Sequence, residues 1–316
     1  TCTMHYIGLA SDTYMLRYMP RMPTNSRQND DNLLPVIIKC IKGDDTTTLT
    51  EDYVIKKESA MSGSYGTATK ISVTNRRTIE NRTMVVKEYN TRNFNKQAVE
   101  KEQKIAEQLG THPNIPQIYY WTDTLLVMEA VEGARWLNAD KRNYIDKIKL
   151  SHQLVNAVHF IHDQGYFHGD LKPDNILVDN KKKLFVIDFG QTSSLETTNV
   201  DKITSCHELT PDNYEESSNL QKEAFTVGMN MFLLKHRPST QQYKNSIYDT
   251  FHQYLHPDKK EMQTITRRDI HSKLVELDKD ALDAIIAGLI DPDPQTRITL
   301  SDALTKLNEV MVTMPK

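Results

Sequence analysis

One run, Gly165–Gly190 (GYFHGDLKPDNILVDNKKKLFVIDFG), limits what this chain can fold into more than any other stretch. It sets His168, Asp170, Lys172 and Asn175 at short fixed intervals and closes on Asp188-Phe189-Gly190. Between these polar points lie two short apolar runs, Ile176–Val178 and Leu184–Ile187, around the turn Lys181–Lys183. Short apolar runs separated by a polar turn read as two strands of a hairpin. Taken singly, each polar residue has an ordinary explanation: an isolated Asp or Lys is usually surface charge, and an isolated His a hydrogen-bonded core residue. The shared spacing promotes them together to a site, while the three lysines of the turn read as a solvated loop, not a nucleic-acid contact.

The run resembles the catalytic loop and metal loop of the protein-kinase superfamily, H-R-D-x-x-x-x-N followed by D-F-G. His168, Asp170 and Asn175 keep the spacing of the first, and Asp188-Phe189-Gly190 matches the second. Phosphoryl transfer is largely positioning and charge stabilisation, and the resemblance assigns roles accordingly. Asp170 would orient an alcohol nucleophile and take its proton. Lys172 would neutralise charge that develops on the transferring group. Asn175 and Asp188 would supply oxygen ligands to magnesium, a hard cation.

Upstream stretches extend the likeness. Met84–Tyr89 (MVVKEY) places Lys87 in a β run similar to the kinase V-A-I-K strand, where the ammonium pairs with the α- and β-phosphates of ATP. Such a lysine needs a helix-borne carboxylate, and Glu102 is the choice, with Glu100 as its rival. The stretch Thr111-His112-Pro113-Asn114-Ile115 resembles the HPNI segment that follows that helix in kinases. Met61–Ala68 (MSGSYGTA) resembles the glycine-rich phosphate loop, with Gly63, Ser64 and Gly66 as the phosphate-binding residues. Met61 stands where the first glycine would be and is expected to distort the turn or weaken nucleotide affinity. Leu125–Gly133 (LLVMEAVEG) is similar to the segment that joins the lobes and binds adenine. There Met128 would guard the back of the pocket, and Glu129 to Val131 would present backbone groups. Glu223–Met229 resembles the start of the central C-lobe helix, with Glu223 for the usual Asp, and Leu289–Leu304 the closing subdomain, with Arg297 as its structural arginine. The resemblance runs from about Tyr53 to Val312.

The implied fold is α+β and bilobal: a small β-rich N-lobe with one helix, then a larger, mainly helical C-lobe, with a cleft between them. Strands are expected at Tyr53–Lys57, Thr67–Thr74, Met84–Tyr89, Ile115–Tyr120 and Thr124–Ala130, with a helix over Asn95–Leu109. Apolar residues at helical spacing then mark Lys147–Gln164, Glu223–Lys235, Tyr243–Tyr254, Asp280–Ile290 and Leu300–Val312. The expected division is an N-terminal extension over 1–52, an N-lobe over 53–130 and a C-lobe over 131–316. Within the extension, Pro20–Asp31 reads as a loop and Leu33–Ile41 (LLPVIIKCI) as a strand or a short docking segment. The extension is expected to pack on the kinase-like domain or to regulate it.

Composition narrows function by exclusion. Lys and Arg total 39 against 42 Asp and Glu, a formal charge of −3, which argues against general binding to nucleic acid. Cys2, Cys40 and Cys206 lie far apart, giving neither a disulfide framework nor zinc-ligand spacing, so a reducing compartment fits. No apolar run is long enough to span a membrane, and the first ten residues lack the pattern of a signal peptide. The expected location is the cytoplasm, or the cytosol of a host cell, since so divergent a sequence resembles kinases of pathogens or viruses.

The likeness implies ATP and Mg2+ as cofactors and the Ser/Thr hydroxyls of proteins as acceptors; oligomeric state is open. Two alternatives stand beside it: a small-molecule kinase of the aminoglycoside or choline phosphotransferase type, and a pseudokinase scaffold. Against the first, Lys172 follows Asp170 by two, and few residues separate Glu129 from His168. Against the second, Lys87, Asp170, Asn175 and Asp188 are all present. Two departures bear on regulation and substrate. Gly169 replaces the arginine with which many kinases read a phosphate on the activation segment, so activity is expected not to need that phosphate. No clear A-P-E motif follows Gly190.

Overall fold

The computed structural model describes residues 33–63, 66–90, 96–109, 112–135, 143–197, 209–211, 214–236, 266–277 and 280–314. The expected helix Tyr243–Tyr254 lies outside these residues. The chain divides into two compact units, residues 1–111 with 116–130 and residues 112–115 with 131–316.

The first unit is built on a six-stranded antiparallel sheet. Its strands are β1 (Thr47–Leu49), β2 (Tyr53–Gly63), β3 (Gly66–Asn75), β4 (Asn81–Tyr89), β5 (Ile118–Trp121) and β6 (Leu125–Glu129), in the order β1-β2-β3-β4-β6-β5. Side chains alternate across a strand, and β6 shows the consequence. Leu125 and Val127 join one apolar cluster, and Leu126 the other. The helix α2 (Lys96–Leu109) sends Val99 into the cluster of Leu126, Trp121 and Tyr89.

The opposite cluster holds Ile55, Ile71, Val73, Met84 and Val86, and it is closed by the helix α1 (Leu33–Lys42). This corrects the expectation of a strand at Leu33–Ile41. Leu33, Leu34, Ile37 and Cys40 are buried, at spacings of one, three and three, which is one face of a helix. Pro35 is tolerated because it falls in the first turn, whose N–H groups have no intrahelical acceptor. Lys39 and Lys42 occupy the last turn, where cations favour the helix dipole. From β2, Lys57 Nζ donates to the terminal carbonyls of Ile41 (3.3 Å) and Gly43 (2.5 Å). Thus α1 and β1, both within the 1–52 stretch, are part of this unit's core and sheet.

The second unit is mainly helical. The helix α3 (Tyr144–Asp163) starts three residues earlier than expected because Asn143 caps it, its Oδ1 accepting from Asp146 N at 2.8 Å. Two small sheets follow: β7 (Gly133–Arg135) pairs with β9 (Ile176–Asp179), which pairs with β10 (Leu184–Val186); β8 (Tyr166–Phe167) pairs with β11 (Ser193–Ser194). The helix α4 (Asn219–His236) is buried continuously from Lys222 to Leu234, and a helix covered on all sides forms the centre of its unit. Three more helices complete the described residues: α5 (Arg267–Leu277), α6 (Ala281–Leu289) and α7 (Leu300–Val312). At Gly228 a Cβ would lie 2.7 Å from Leu289 and Ile290 side-chain atoms, so α4 and α6 meet where a side chain is missing. Arg297 is buried; its guanidinium donates to the carbonyls of Asp291 (2.9 Å) and Gln221 (3.1 Å) and lies over the Phe225 ring. Burial lowers its pKa to about 10, which still leaves it charged at neutral pH. No helix of the described residues is long and apolar enough to cross a membrane.

Candidate active site

The first unit holds Lys87. Lys87 lies in β4 opposite Ala68 of β3 and Leu126 of β6. Its Nζ donates to both carboxylate oxygens of Glu102, at 2.9 and 3.2 Å. Glu102 is 5% exposed on α2, whereas Glu100 is exposed. A buried carboxylate needs such partners, because burial without them disfavours the charge. Tyr89 adds a third bond, its hydroxyl donating to Glu102 Oε2 at 2.7 Å.

The glycine-rich hairpin is the junction of β2 and β3. Ser64 and Tyr65 lie outside the described residues. Gly63 faces Gly66 across the ladder, and Met61 faces Ala68. Met61 is 71% exposed and the register of the ladder continues past it; the turn on which the distortion is expected lies outside the described residues. Gly66 cannot be exchanged so freely. Its φ is +151°, and a Cβ there would fall 1.8 Å from the carbonyl oxygen of Glu88.

At the end of β6, Met128 is half-buried and faces Val85 and Ile118. The N–H groups of Glu129 and Ala130 donate to Gln117 O (2.7 Å) and Thr83 O (3.2 Å). The first unit ends at Ala130, and from Val131 onward the chain belongs to the second.

The second unit holds the residues expected to form the catalytic loop. Lys172 Nζ donates to Asp170 Oδ2 at 2.6 Å. Asn175 Nδ2 donates to the Asp170 carbonyl (2.8 Å) and to the same Oδ2 (3.1 Å). The Asp170 carboxylate is thereby held from two sides. His168 is fully buried and structural in its contacts. Its Nδ1 accepts from Asp170 N at 3.2 Å, so the proton sits on Nε2, which donates to Ile187 O at 3.0 Å. The His168 and Gly169 N–H groups donate to Glu223, at 3.0 and 3.1 Å. Glu223 is 0% exposed and also bonds His162 Nε2 at 2.8 Å. Burial alone would raise its carboxyl pKa. The hydrogen bond and charge of His162, with the backbone bond from His168, outweigh burial and hold it below the ordinary value. The loop therefore hangs from the second turn of the central helix.

Asp188 has φ +66° and ψ +76°, the left-handed region that non-glycine residues seldom occupy. Just before it, Ile187 N donates to Asn175 O at 3.0 Å, so the two magnesium candidates lie on hydrogen-bonded backbone segments. With the Asn175 amide nitrogen bound to Asp170, its Oδ1 makes no hydrogen bond among the described residues. An amide oxygen and a carboxylate suit magnesium, which is commonly bound by one or two protein oxygens plus substrate phosphates. Among the described residues there is no group of three or more His, Cys, Asp or Glu that could hold a metal ion. Gly169 has φ +80°, and a Cβ on it would meet the Gln191 carbonyl oxygen at 2.3 Å. Thr192 Oγ1 donates to His168 O at 2.9 Å, fixing the start of the next segment to the loop.

Residues 56–307 match the protein kinase domain family. The chain belongs to the protein-kinase family. A putative serine/threonine-protein kinase of Acanthamoeba polyphaga mimivirus is 26% identical over 253 residues, covering 73% of this chain and 86% of the relative. CBL-interacting serine/threonine-protein kinase 21 of Arabidopsis thaliana is 42% identical over 90 residues, or 26% of this chain and 22% of the plant protein. CBL-interacting protein kinase 9 of rice (Oryza sativa subsp. japonica) is 25% identical over 214 residues, 62% of this chain and 43% of the relative. The kinase thus spans less than half the length of these two plant relatives.

Three polar side chains of the kinase escaped the sequence reading: Tyr89, His162 and Thr192. Tyr89 had one available signal, its position two residues after Lys87, which puts both on one face of a strand. His162 lies 61 residues from its partner Glu223, and no local pattern pairs them.

Proposed function

We propose that this chain is an ATP- and magnesium-dependent kinase that transfers the γ-phosphate to Ser/Thr hydroxyls of proteins. The observation that carries this reading is the Asp170 carboxylate, held by Lys172 and Asn175 in a loop suspended from buried Glu223. Asp170 accepts the proton of the acceptor hydroxyl as its oxygen bonds to the γ-phosphorus and the bond from that phosphorus to the β-phosphate bridging oxygen breaks, releasing ADP. Lys172, already bonded to Asp170, neutralises charge on the phosphoryl oxygens. Lys87, oriented by Glu102, takes the α- and β-phosphates. Gly63, Ser64 and Gly66 bring backbone N–H groups to the phosphates, and Met128, Glu129 and Val131 bind adenine. Asn175 and Asp188 would hold magnesium, whose charge offsets that of the phosphates when it is bound.

The acceptor class rests on Lys172 and on the family of the relatives. The cytosolic location rests on the cysteine pattern and on Cys40, a free thiol buried in the core of the first unit. The division into an extension, an N-lobe and a C-lobe belongs to the same proposal, with the 1–52 stretch contributing part of the N-lobe core.

The test is transfer from γ-labelled Mg-ATP by wild type and Asp170→Ala, into a mixed protein extract and into a protein-free metabolite pool. Label on protein Ser/Thr with wild type alone is expected. Label confined to metabolites would replace the protein-kinase reading by a small-molecule one, and no transfer to either would favour a scaffold.

A further inference from the structure

We infer that Tyr89 is a positioning residue for phosphoryl transfer, bracing the Lys87–Glu102 pair from inside the first unit. This rests on the kinase reading above and adds a residue to it. Tyr89 and Lys87 share one face of β4, being two residues apart on a strand. The Tyr89 hydroxyl donates to Glu102 Oε2 at 2.7 Å, while Lys87 Nζ spans both oxygens at 2.9 and 3.2 Å. The Tyr89 ring also lies beneath the lysine, with Nζ 5.2 Å from its centroid, a distance at which the ring face attracts a cation. One side chain thus touches both members of the pair.

The phenol does something the lysine cannot. When Lys87 binds phosphate it must share its three N–H donors between the nucleotide and Glu102. The tyrosine is uncharged and keeps Oε2 while that sharing takes place. The carboxylate therefore stays aligned, and the ammonium it orients stays at the phosphates. The ring is 8% exposed and packs with Val99, Trp121 and Leu126, so the hydroxyl has little freedom to seek water. A short hydrogen bond to a buried carboxylate is among the stronger kinds.

The test separates a brace from simple packing. Tyr89→Phe keeps the ring and removes only the hydroxyl. Its kcat/KM for Mg-ATP, measured well below the melting temperature, is expected to fall about tenfold, the size of a charged hydrogen bond near 1.4 kcal/mol. KM for the protein acceptor is expected to stay unchanged. In a Glu102→Gln background the same substitution is expected to change kcat/KM less than about twofold, because the carboxylate it supports is gone. Activity of Tyr89→Phe within twofold of wild type overturns the inference, even if its melting temperature falls. So does an equal loss in both backgrounds. A wild type that transfers no phosphate fails the kinase reading instead. The brace is then read from Mg-ATP affinity by calorimetry: weaker binding by Tyr89→Phe supports it, equal binding overturns it, and a wild type that does not bind Mg-ATP overturns both.

Discussion

Individual residues in this kinase are constrained by what must lie next to the loop they serve. Gly169 shows this most sharply. Its φ of +80° and the Gln191 carbonyl 2.3 Å from where a Cβ would stand leave no room for a side chain without movement. Gly169→Ala is therefore expected to destabilise the kinase by about 1–3 kcal/mol, measured by urea unfolding, and to lower turnover by shifting Asp170. Glu223 gives a second expectation, in pH. Its folded pKa lies below the ordinary 4.5, so its charged form stabilises the fold above that value. The contribution is lost as pH falls through the depressed folded value. Glu223→Gln should thus lower the melting temperature at pH 7 while flattening its fall below about pH 4.5. Equal acid limbs in the two proteins would contradict this. The polar points of the site were legible because Asp170, Lys172, Asn175 and Asp188 lie within one short run. Tyr89, His162 and Glu223 in its anchoring role were not, because their partners sit on other elements and are found only by folding.

At the scale of elements, legibility followed periodicity. Leu125, Leu126 and Val127 in β6 alternate between two cores, and α4, expected over Glu223–Lys235, runs over Asn219–His236. The misreadings occurred where a short apolar run or a charged helix blurs the period. Leu33–Ile41 is apolar almost throughout, so it read as a strand or a short docking segment, whereas the burial of Leu33, Leu34, Ile37 and Cys40 follows one face of a helix. α5 went unexpected because its sequence, RRDIHSKLVEL, is mostly polar: among its described side chains the buried apolar ones are Ile270 and Leu274, while Val275 is 58% exposed. The placement of α1 has an energetic consequence. Ile37 is 0% exposed within the cluster that includes Ile55, Met84 and Val86. Ile37→Ala should cost about 2–5 kcal/mol, read from denaturant midpoints. Lys57→Met, which removes the cation at the end of α1, should cost less, about 0.5–2 kcal/mol. If α1 were a detachable regulatory arm, Ile37→Ala would leave unfolding untouched and change activity alone.

At the scale of the whole molecule, each of the two compact units carries its own alignment contacts. The Lys87–Glu102–Tyr89 triad closes within the first unit, and within the second Glu223, Thr192 and the Gly169–Gln191 contact fix the catalytic loop and the segment after Asp188. Kinases that read an activation-segment phosphate do so through a cation beside the catalytic Asp, and glycine at 169 offers none. Phosphatase treatment of the purified kinase is therefore expected to leave at least about half of its activity, since no charge-assisted bond from position 169 is lost. Thr197→Ala, at the end of the described part of that segment, should behave alike, as should Thr198→Ala and Thr204→Ala beyond it. A drop of tenfold or more on dephosphorylation, matched by one of these substitutions and reversed by rephosphorylation, would show that another cation reads the phosphate and that the loop is not self-supporting.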